Sequence, residues 1–162
     1  SLPRQGVLSD AFSFVTDITP TILSLAGVEP PQGRHGGKPV ETVIGRDLSP
    51  VIRGDAERIY GEHDAVGYEL AGNAALFRGD YKIVYNRSPL GDDRWRLFNI
   101  KTDPGETNDL SDQYPETVRD MVNQVKLWNE SHVEPKWFFN ENAEMEWERD
   151  KMPDYSTLFQ VD

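Results

Sequence analysis

The fold is decided by residues 74–85, which read AALFRGDYKIVY. Two apolar runs flank a Gly-Asp dipeptide at positions 79 and 80, a pair that is common in tight turns. In the second run every other residue is large and apolar, and this period of two is typical of a half-buried strand. The stretch therefore predicts a β-hairpin with strands at 74–78 and 81–85.

The residues on both sides extend this hairpin into a small α+β fold. Residues 59–62 and 94–99 predict two further strands, and Tyr114–Ser131 predicts a helix with Pro115 in its first turn. Apolar residues of this helix recur at helical spacing: Val118, Met121, Val122, Val125 and Trp128. We expect a small antiparallel sheet of about four strands packed by one long C-terminal helix.

A shorter helix is predicted near the start of the chain, over residues 17–27. Ile18, Ile22 and Leu25 recur at i, i+4 and i+7, which predicts one buried apolar face. Gly27 is a natural stop for the helix. Residues 28–42 are rich in proline and glycine and predict a loop, and residues 45–54 predict a helical turn that ends at Gly54.

Composition excludes several classes of function. Seventeen Lys and Arg against 28 Asp and Glu give a net charge of −11, which excludes a general nucleic-acid binder. Cysteine is absent, which removes thiol nucleophiles and cysteine-ligated metals. No apolar run reaches the roughly 20 residues of a membrane span, so no membrane association is expected. The chain opens on Ser1 without a methionine, and we expect a piece of a longer protein.

Local motifs do not assemble a complete active site. The three histidines, His35, His63 and His132, lie in unrelated sequence settings. The Glu62-His63-Asp64 cluster could bind a metal or move protons, but a lone cluster of this kind is weak evidence for either role. The sequence contains neither a G-x-S-x-G elbow nor an H-E-x-x-H helix.

Several phrases in order resemble the C-terminal region of bacterial sulfatases of the arylsulfatase and alkylsulfatase type, within the alkaline-phosphatase superfamily. The similarity covers about residues 2–132. It is carried by LPRQG at 2–6, FVTDITPTILSLAGV at 14–28, GRDLSPVIRG at 45–54, GYELAG at 67–72, ALFRGDYK at 75–82, and LFNI, DPGE and NDL at 97–100, 103–106 and 108–110. The resemblance implies two segments: residues 1–57 at the edge of a catalytic α/β domain, to which the N-terminal helix would belong, and residues 58–132 as a sheet-and-helix subdomain. Residues 133–162 fall outside the resemblance, and their composition predicts an acidic, aromatic-rich arm.

The resemblance implies hydrolysis of sulfate esters by a parent protein and no catalysis by this chain alone. Sulfatases use a formylglycine nucleophile made from Cys or Ser in C/S-x-P-x-R, and that motif is missing here. The family's calcium ligands and sulfate-binding residues lie upstream, so no catalytic or metal-binding residue is expected in this chain. Calcium and formylglycine are expected in the missing N-terminal catalytic domain, which would be the partner of this chain.

The same resemblance implies a rim for the substrate cleft within residues 62–73, and its candidate residues are His63, Glu69 and Asn73. Relatives often carry Arg where this chain has Ala74 and Phe77, which removes two cations from that region. We expect Phe77 to pack in the core under the terminal helix.

Three questions stay open at this stage. The chain could instead be a stand-alone interaction module, or belong to a hydrolase of phosphate or phosphonate esters. Residues 133–162 combine six aromatic rings with eight acidic and three basic residues, and could mediate self-association. The localisation, bacterial cytoplasm or periplasm, is not indicated by any feature.

Overall fold

A computed structural model describes residues 6–70, 72–88 and 91–132. The chain forms two compact units, Ser1–Gly61 and Glu62–Asp162. After a 3-10 turn at Val15–Asp17, the elements are α1 Ile18–Leu25, β1 Arg34–His35, β2 Lys38–Pro39, α2 Ser49–Arg53, β3 Ala65–Leu70, β4 Asn73–Arg78, β5 Tyr81–Tyr85, β6 Trp95–Asn99 and α3 Pro115–Glu130. No helix of the described residues is both long and apolar enough to cross a membrane.

The second unit is the predicted antiparallel sheet with its helix. The strands pair in the order β3-β4-β5-β6, and Leu76, Ile83 and Leu97 lie side by side on the adjacent strands β4, β5 and β6. These three residues are completely buried and pack in one cluster with Val118, Met121, Val122 and Val125 of α3. The alternation within the strands and the stripe on α3 thus build one shared core, and the predicted fold class is confirmed.

The prediction of the first strand was wrong in position. Residues 59–62 form bends and a turn, and the fourth strand is β3, at Ala65–Leu70. The sequence pattern did not predict this strand, because Gly67 contributes no side chain and interrupts the alternation. Its lack of a side chain is required, since a Cβ at this position would lie 2.4 Å from the indole ring of Trp128 on α3. The gap in the pattern therefore coincides with a close approach of the helix to the strand.

The predicted position of Phe77 was also wrong. Leu76 belongs to the core beneath α3, and successive residues of a strand point to opposite faces of the sheet. Phe77 therefore lies on the face opposite α3, where the ammonium group of Lys82 is 5.3 Å from its ring centroid. This lysine also pairs with Glu106, so an ion pair and an aromatic ring share that face.

The prediction that the apolar face of α1 is buried was wrong. Ile18, Ile22 and Leu25, the expected buried face, are 54%, 60% and 44% exposed. The buried residue of α1 is Thr21, which lies on its polar side. The physical reason is that the neighbouring segments of this unit meet α1 through hydrogen bonds to Asp17, Thr21 and Ser24.

Residues 28–42 contain more regular structure than the predicted loop. Strands β1 and β2 form a short hairpin around Gly36 and Gly37. Both glycines have positive φ angles, 55° and 80°, as the tightest hairpin turns require.

Candidate functional site

The turn between β3 and β4 holds two of the three predicted rim residues. The Glu69 carboxylate accepts a hydrogen bond from the Gly72 N–H at 2.8 Å. The Asn73 side chain donates to the Leu70 carbonyl at 3.1 Å and accepts from the Arg87 N–H at 3.0 Å. Glu69 and Asn73 are thus fixed by the backbone of their own turn, and Asn73 also ties that turn to the chain after β5.

Arg87 is the residue at this turn that the sequence pattern missed. A Cβ at Gly72 would lie 2.5 Å from Cδ and 3.1 Å from Nη1 of Arg87, so the arginine side chain lies directly over that glycine. Gly72 has a φ of 81°, which an L side chain rarely adopts. Arg87 follows the end of β5 by two residues, and only the strand pairing shows that it reaches the β3–β4 turn. A cation is therefore present beside Asn73, close to where the sequence lacks one at Ala74.

His63 does not join Glu69 and Asn73. It is exposed in the turn that precedes β3, whereas Glu69 lies near the far end of that strand and Asn73 begins β4. The part of β3 from Ala65 to Glu69 alone spans about 13 Å. The three residues therefore belong to opposite ends of one strand and cannot act on one small group together.

A buried carboxylate organises the first unit. Asp17 is completely buried, and its Oδ1 accepts hydrogen bonds from the Arg46 N–H and the Tyr60 hydroxyl, each at 2.7 Å. Its Oδ2 accepts from the Phe14 N–H at 2.7 Å. The Arg46 guanidinium lies over the Tyr60 ring, 4.5 Å from the centroid. Every oxygen of Asp17 is used to join segments of the chain, so this carboxylate has a structural role.

Asp47 has a comparable role at the start of α2. Its two carboxylate oxygens accept from the Ser49 N–H at 2.7 Å and the Ser49 hydroxyl at 2.8 Å. Burial by itself raises the pKa of Asp47, and hydrogen bonds from Ser24 and Ser49 outweigh it and lower that pKa.

The acidic turn after β6 is likewise satisfied from within the chain. The Asp103 carboxylate accepts from the N–H groups of Thr107 and Asn108, each at 2.8 Å, and from the Thr107 hydroxyl at 3.0 Å. The hydrogen bond from the Asn108 backbone is the main cause that lowers the pKa of Asp103. These donors occupy the oxygens that a calcium ion would need.

The described residues do not fit the calcium site that the resemblance implies for the parent. Across residues 6–70, 72–88 and 91–132, no three His, Asp or Glu side chains are grouped as metal ligands would be. The most enclosed carboxylate, Asp17, is already saturated with N–H and O–H donors.

Comparison with known proteins shows what the chain is similar to. No protein-family model matches it. The chain is 30% identical over 122 residues to an uncharacterized sulfatase of Schizosaccharomyces pombe, a match that covers 75% of this chain. The chain is a sulfatase homologue. It spans only 22% of the length of that relative, which agrees with its being the C-terminal region of a sulfatase.

Solved structures share the fold of this sulfatase homologue. Ps i-CgsB in complex with k-i-k-neocarrahexaose superposes with a TM-score of 0.67 at 23% identity, over 90% of this chain and 30% of that one. A Bacteroides thetaiotaomicron protein described as BT33336S-sulf gives a TM-score of 0.52 at 18% identity, over 68% of this chain and 23% of that one. In both cases the homologue matches less than a third of the larger chain.

Proposed function

We propose that this chain is the C-terminal part of an enzyme that hydrolyses aryl or alkyl sulfate esters. In this proposal the chain supports the catalytic part and contributes to the rim of its cleft, and it supplies no nucleophile. The relationship to a sulfatase supports the reaction class. The lack of cysteine and of a C/S-x-P-x-R motif supports the placement of formylglycine, and with it calcium, in the remainder of the parent.

One observation carries the proposal: the apolar face of α1 has no cover within its own unit. Ile18 and Ile22 are more than half exposed, whereas the polar side of α1 is buried against the Asp17 network. Of the twelve large hydrophobic residues found exposed in the described part of the chain, eight belong to this unit: Val7, Leu8, Val15, Ile18, Ile22, Leu25, Val28 and Ile44. Apolar patches of this kind mark surfaces that another body covers.

The catalytic part of the parent is the occupant that fits this face. The sulfatase relative is more than four times as long as the segment that matches, so a large body remains outside this chain. Burying the exposed half of each isoleucine would stabilise the assembly by roughly 1 kcal/mol per side chain. Such a contact would hold residues 1–57 as an edge of the catalytic domain and leave residues 58–132 as the added subdomain.

The β3–β4 turn is the part of the chain that we propose for the cleft rim. Glu69 and Asn73 hold its backbone, and Arg87 adds a cation that a sulfate-ester substrate would favour. An Asn73→Ala substitution in the parent should raise KM several-fold with little change in kcat, because the turn would lose the tie to Arg87. His63 lies at the other end of β3. The Asn73 variant therefore does not test its predicted rim role, which needs a substitution of His63 itself.

Hydrolysis assays test the reaction class. The parent should release 4-nitrophenol from 4-nitrophenyl sulfate in the presence of calcium, and this chain alone should release none. Faster turnover of 4-nitrophenyl phosphate or of a phosphonate ester would favour the alternative hydrolase. Turnover of the sulfate ester by this chain alone would overturn the assignment of the nucleophile to the remainder of the parent.

Residues 133–162 motivate a second role, self-association, and they lie outside the described residues. Their six aromatic rings and net charge of −5 favour a segment that docks its rings on a surface. Sedimentation equilibrium of the chain and of a version ending at His132 tests this. Loss of a dimer on truncation would support an interaction module, and a monomer in both cases would exclude self-association.

A further inference from the structure

The β1–β2 hairpin is a narrow, exposed feature of the first unit. Arg34 pairs with Pro39 and His35 with Lys38, and the two-residue turn is Gly36-Gly37. The Val40 N–H donates to the Gly33 carbonyl at 3.1 Å and closes the base of the hairpin. No atom lies within 4 Å of where a Cβ would stand on either turn glycine, so the backbone of the tip is open to a ligand.

Three nitrogen-bearing side chains converge on this tip. His35 and Lys38 are directly opposed, so their side chains lie on one face of the hairpin with Cβ atoms about 5 Å apart. Arg34 starts from the other face, but its Nη2 donates to the Gly37 carbonyl, which brings the guanidinium round to the turn. All three residues are exposed. The tip therefore gathers two positive charges and an imidazole within five residues.

No carboxylate in the part of the chain that the structure describes neutralises the two positive charges of the tip. In the second unit, acidic partners hold five cations: Arg78, Lys82, Arg96, Lys101 and Arg119. Within the described residues, neither Arg34 nor Lys38 has a carboxylate within ion-pair distance. Although the net charge of the chain is −11, the tip of this hairpin is therefore locally positive, and its charges form no ion pair within the described residues.

We propose that the Arg34-His35-Lys38 tip is a binding site for the sulfate group of a multiply sulfated ligand. A tetrahedral oxyanion can accept hydrogen bonds from the guanidinium group, from the ammonium group and from an imidazole N–H. The choice of sulfate over phosphate rests on the proposed function, whereas the oxyanion chemistry rests on the hairpin alone. The strong overall negative charge repels polyanions, so any binding must come from a local site such as this tip.

The test uses the whole chain, labelled with 15N, and sucrose octasulfate as the probe. The amide signals of Gly36 and Gly37 should shift on titration, those of Gly91 and Gly105 should not, and uncharged sucrose should shift none. Binding should weaken as salt rises from 50 to 200 mM, since the contacts are exposed and screened. Inositol hexakisphosphate is the phosphate arm, and binding of that probe alone would overturn the assignment to sulfate.

Matched variants separate the tip from general charge. An Arg34→Ala/Lys38→Ala chain should bind the probe at least ten-fold more weakly, and the swap Arg34→Lys/Lys38→Arg should retain binding. Arg58→Ala/Lys126→Ala removes two exposed positive charges elsewhere and should change the affinity less than two-fold. Equal losses in the two alanine pairs, or no binding by the unaltered chain, would overturn the proposal. Because no hydrolysis is measured, these outcomes are independent of whether the parent cleaves sulfate esters.

Discussion

Replacing Asp17 by Asn is the sharpest perturbation of the first unit. The carboxylate accepts two hydrogen bonds at Oδ1, from the Arg46 N–H and the Tyr60 hydroxyl, and one at Oδ2, from the Phe14 N–H. Asparagine has the same shape but only one acceptor oxygen. If that oxygen serves Arg46 and Tyr60, the amide NH₂ faces the Phe14 N–H, donor against donor. In the flipped orientation the NH₂ group faces the Arg46 N–H instead.

The cost of this substitution follows from the three bonds. One buried donor loses its acceptor, which costs about 1–3 kcal/mol, and the two bonds that remain lose the strengthening of a charged acceptor, roughly 1 kcal/mol each. The neutral side chain avoids the desolvation of a buried charge, which offsets part of the loss. We expect the segments around Asp17 to be destabilised by about 2–5 kcal/mol.

Amide hydrogen exchange measures this loss directly, because the chain's four tryptophans all lie beyond Gly61 and fluorescence would not report on the first unit. The amides of Phe14 and Arg46 should exchange roughly 30- to 5,000-fold faster in the Asn variant, at 1.36 kcal/mol per ten-fold. Asp55→Asn, at an exposed carboxylate in the same unit, is the control and should leave both rates unchanged. A change of less than two-fold in the Asp17 variant would refute the structural role of this carboxylate.

Three further predictions concern the second unit. Gly67→Ala would place a Cβ against the Trp128 ring, so the free energy of unfolding should fall by about 1–3 kcal/mol. A urea titration followed by tryptophan fluorescence measures this, and an unchanged midpoint would refute the close approach. Leu97→Ala should cost about 2–5 kcal/mol in the same assay, because the side chain is completely buried beneath α3; a loss under 1 kcal/mol would contradict that core. Burial alone raises the pKa of Asp109, and hydrogen bonds from Ser111 and the Leu97 N–H outweigh it and lower that pKa. The stabilisation from Asp109 is therefore present above the carboxyl's ordinary pKa and is lost as the pH falls through the lowered one, so urea titrations at pH 6 and 3 should show a smaller decline for Asp109→Asn than for the unaltered chain.

The sequence predicts an element correctly where its periodic apolar residues are also the residues that are buried. In β5 and α3 the periodic apolar residues are also the buried ones, so local pattern and tertiary structure agree. In β3 the close approach of the helix selects a glycine, and the strand loses its alternation. In α1 the pattern is intact, but the described unit buries the polar side instead. A pattern predicts that an apolar face needs cover, and it does not say which body provides it.

The candidate site was predictable only in part. The resemblance predicts Glu69 and Asn73 as rim residues, and the hairpin register places them at the same turn. Arg87 could not be found in this way, because its contact with Gly72 joins residues 15 apart that only the strand pairing brings together. The same resemblance grouped His63 with Glu69 and Asn73, and strand β3 separates His63 from that turn.

The central claim is that the apolar face of α1 docks on the catalytic part of a sulfate-ester hydrolase, and a reassembly measurement tests it most directly. The N-terminal remainder of the parent is produced separately and mixed with this chain, and the release of 4-nitrophenol from 4-nitrophenyl sulfate is followed. We predict that the unaltered chain and a Leu127→Asp control restore hydrolysis, since Leu127 is an exposed leucine of the other unit. An Ile18→Asp/Ile22→Asp chain should restore less than a tenth of it. Full restoration by that variant would contradict the account.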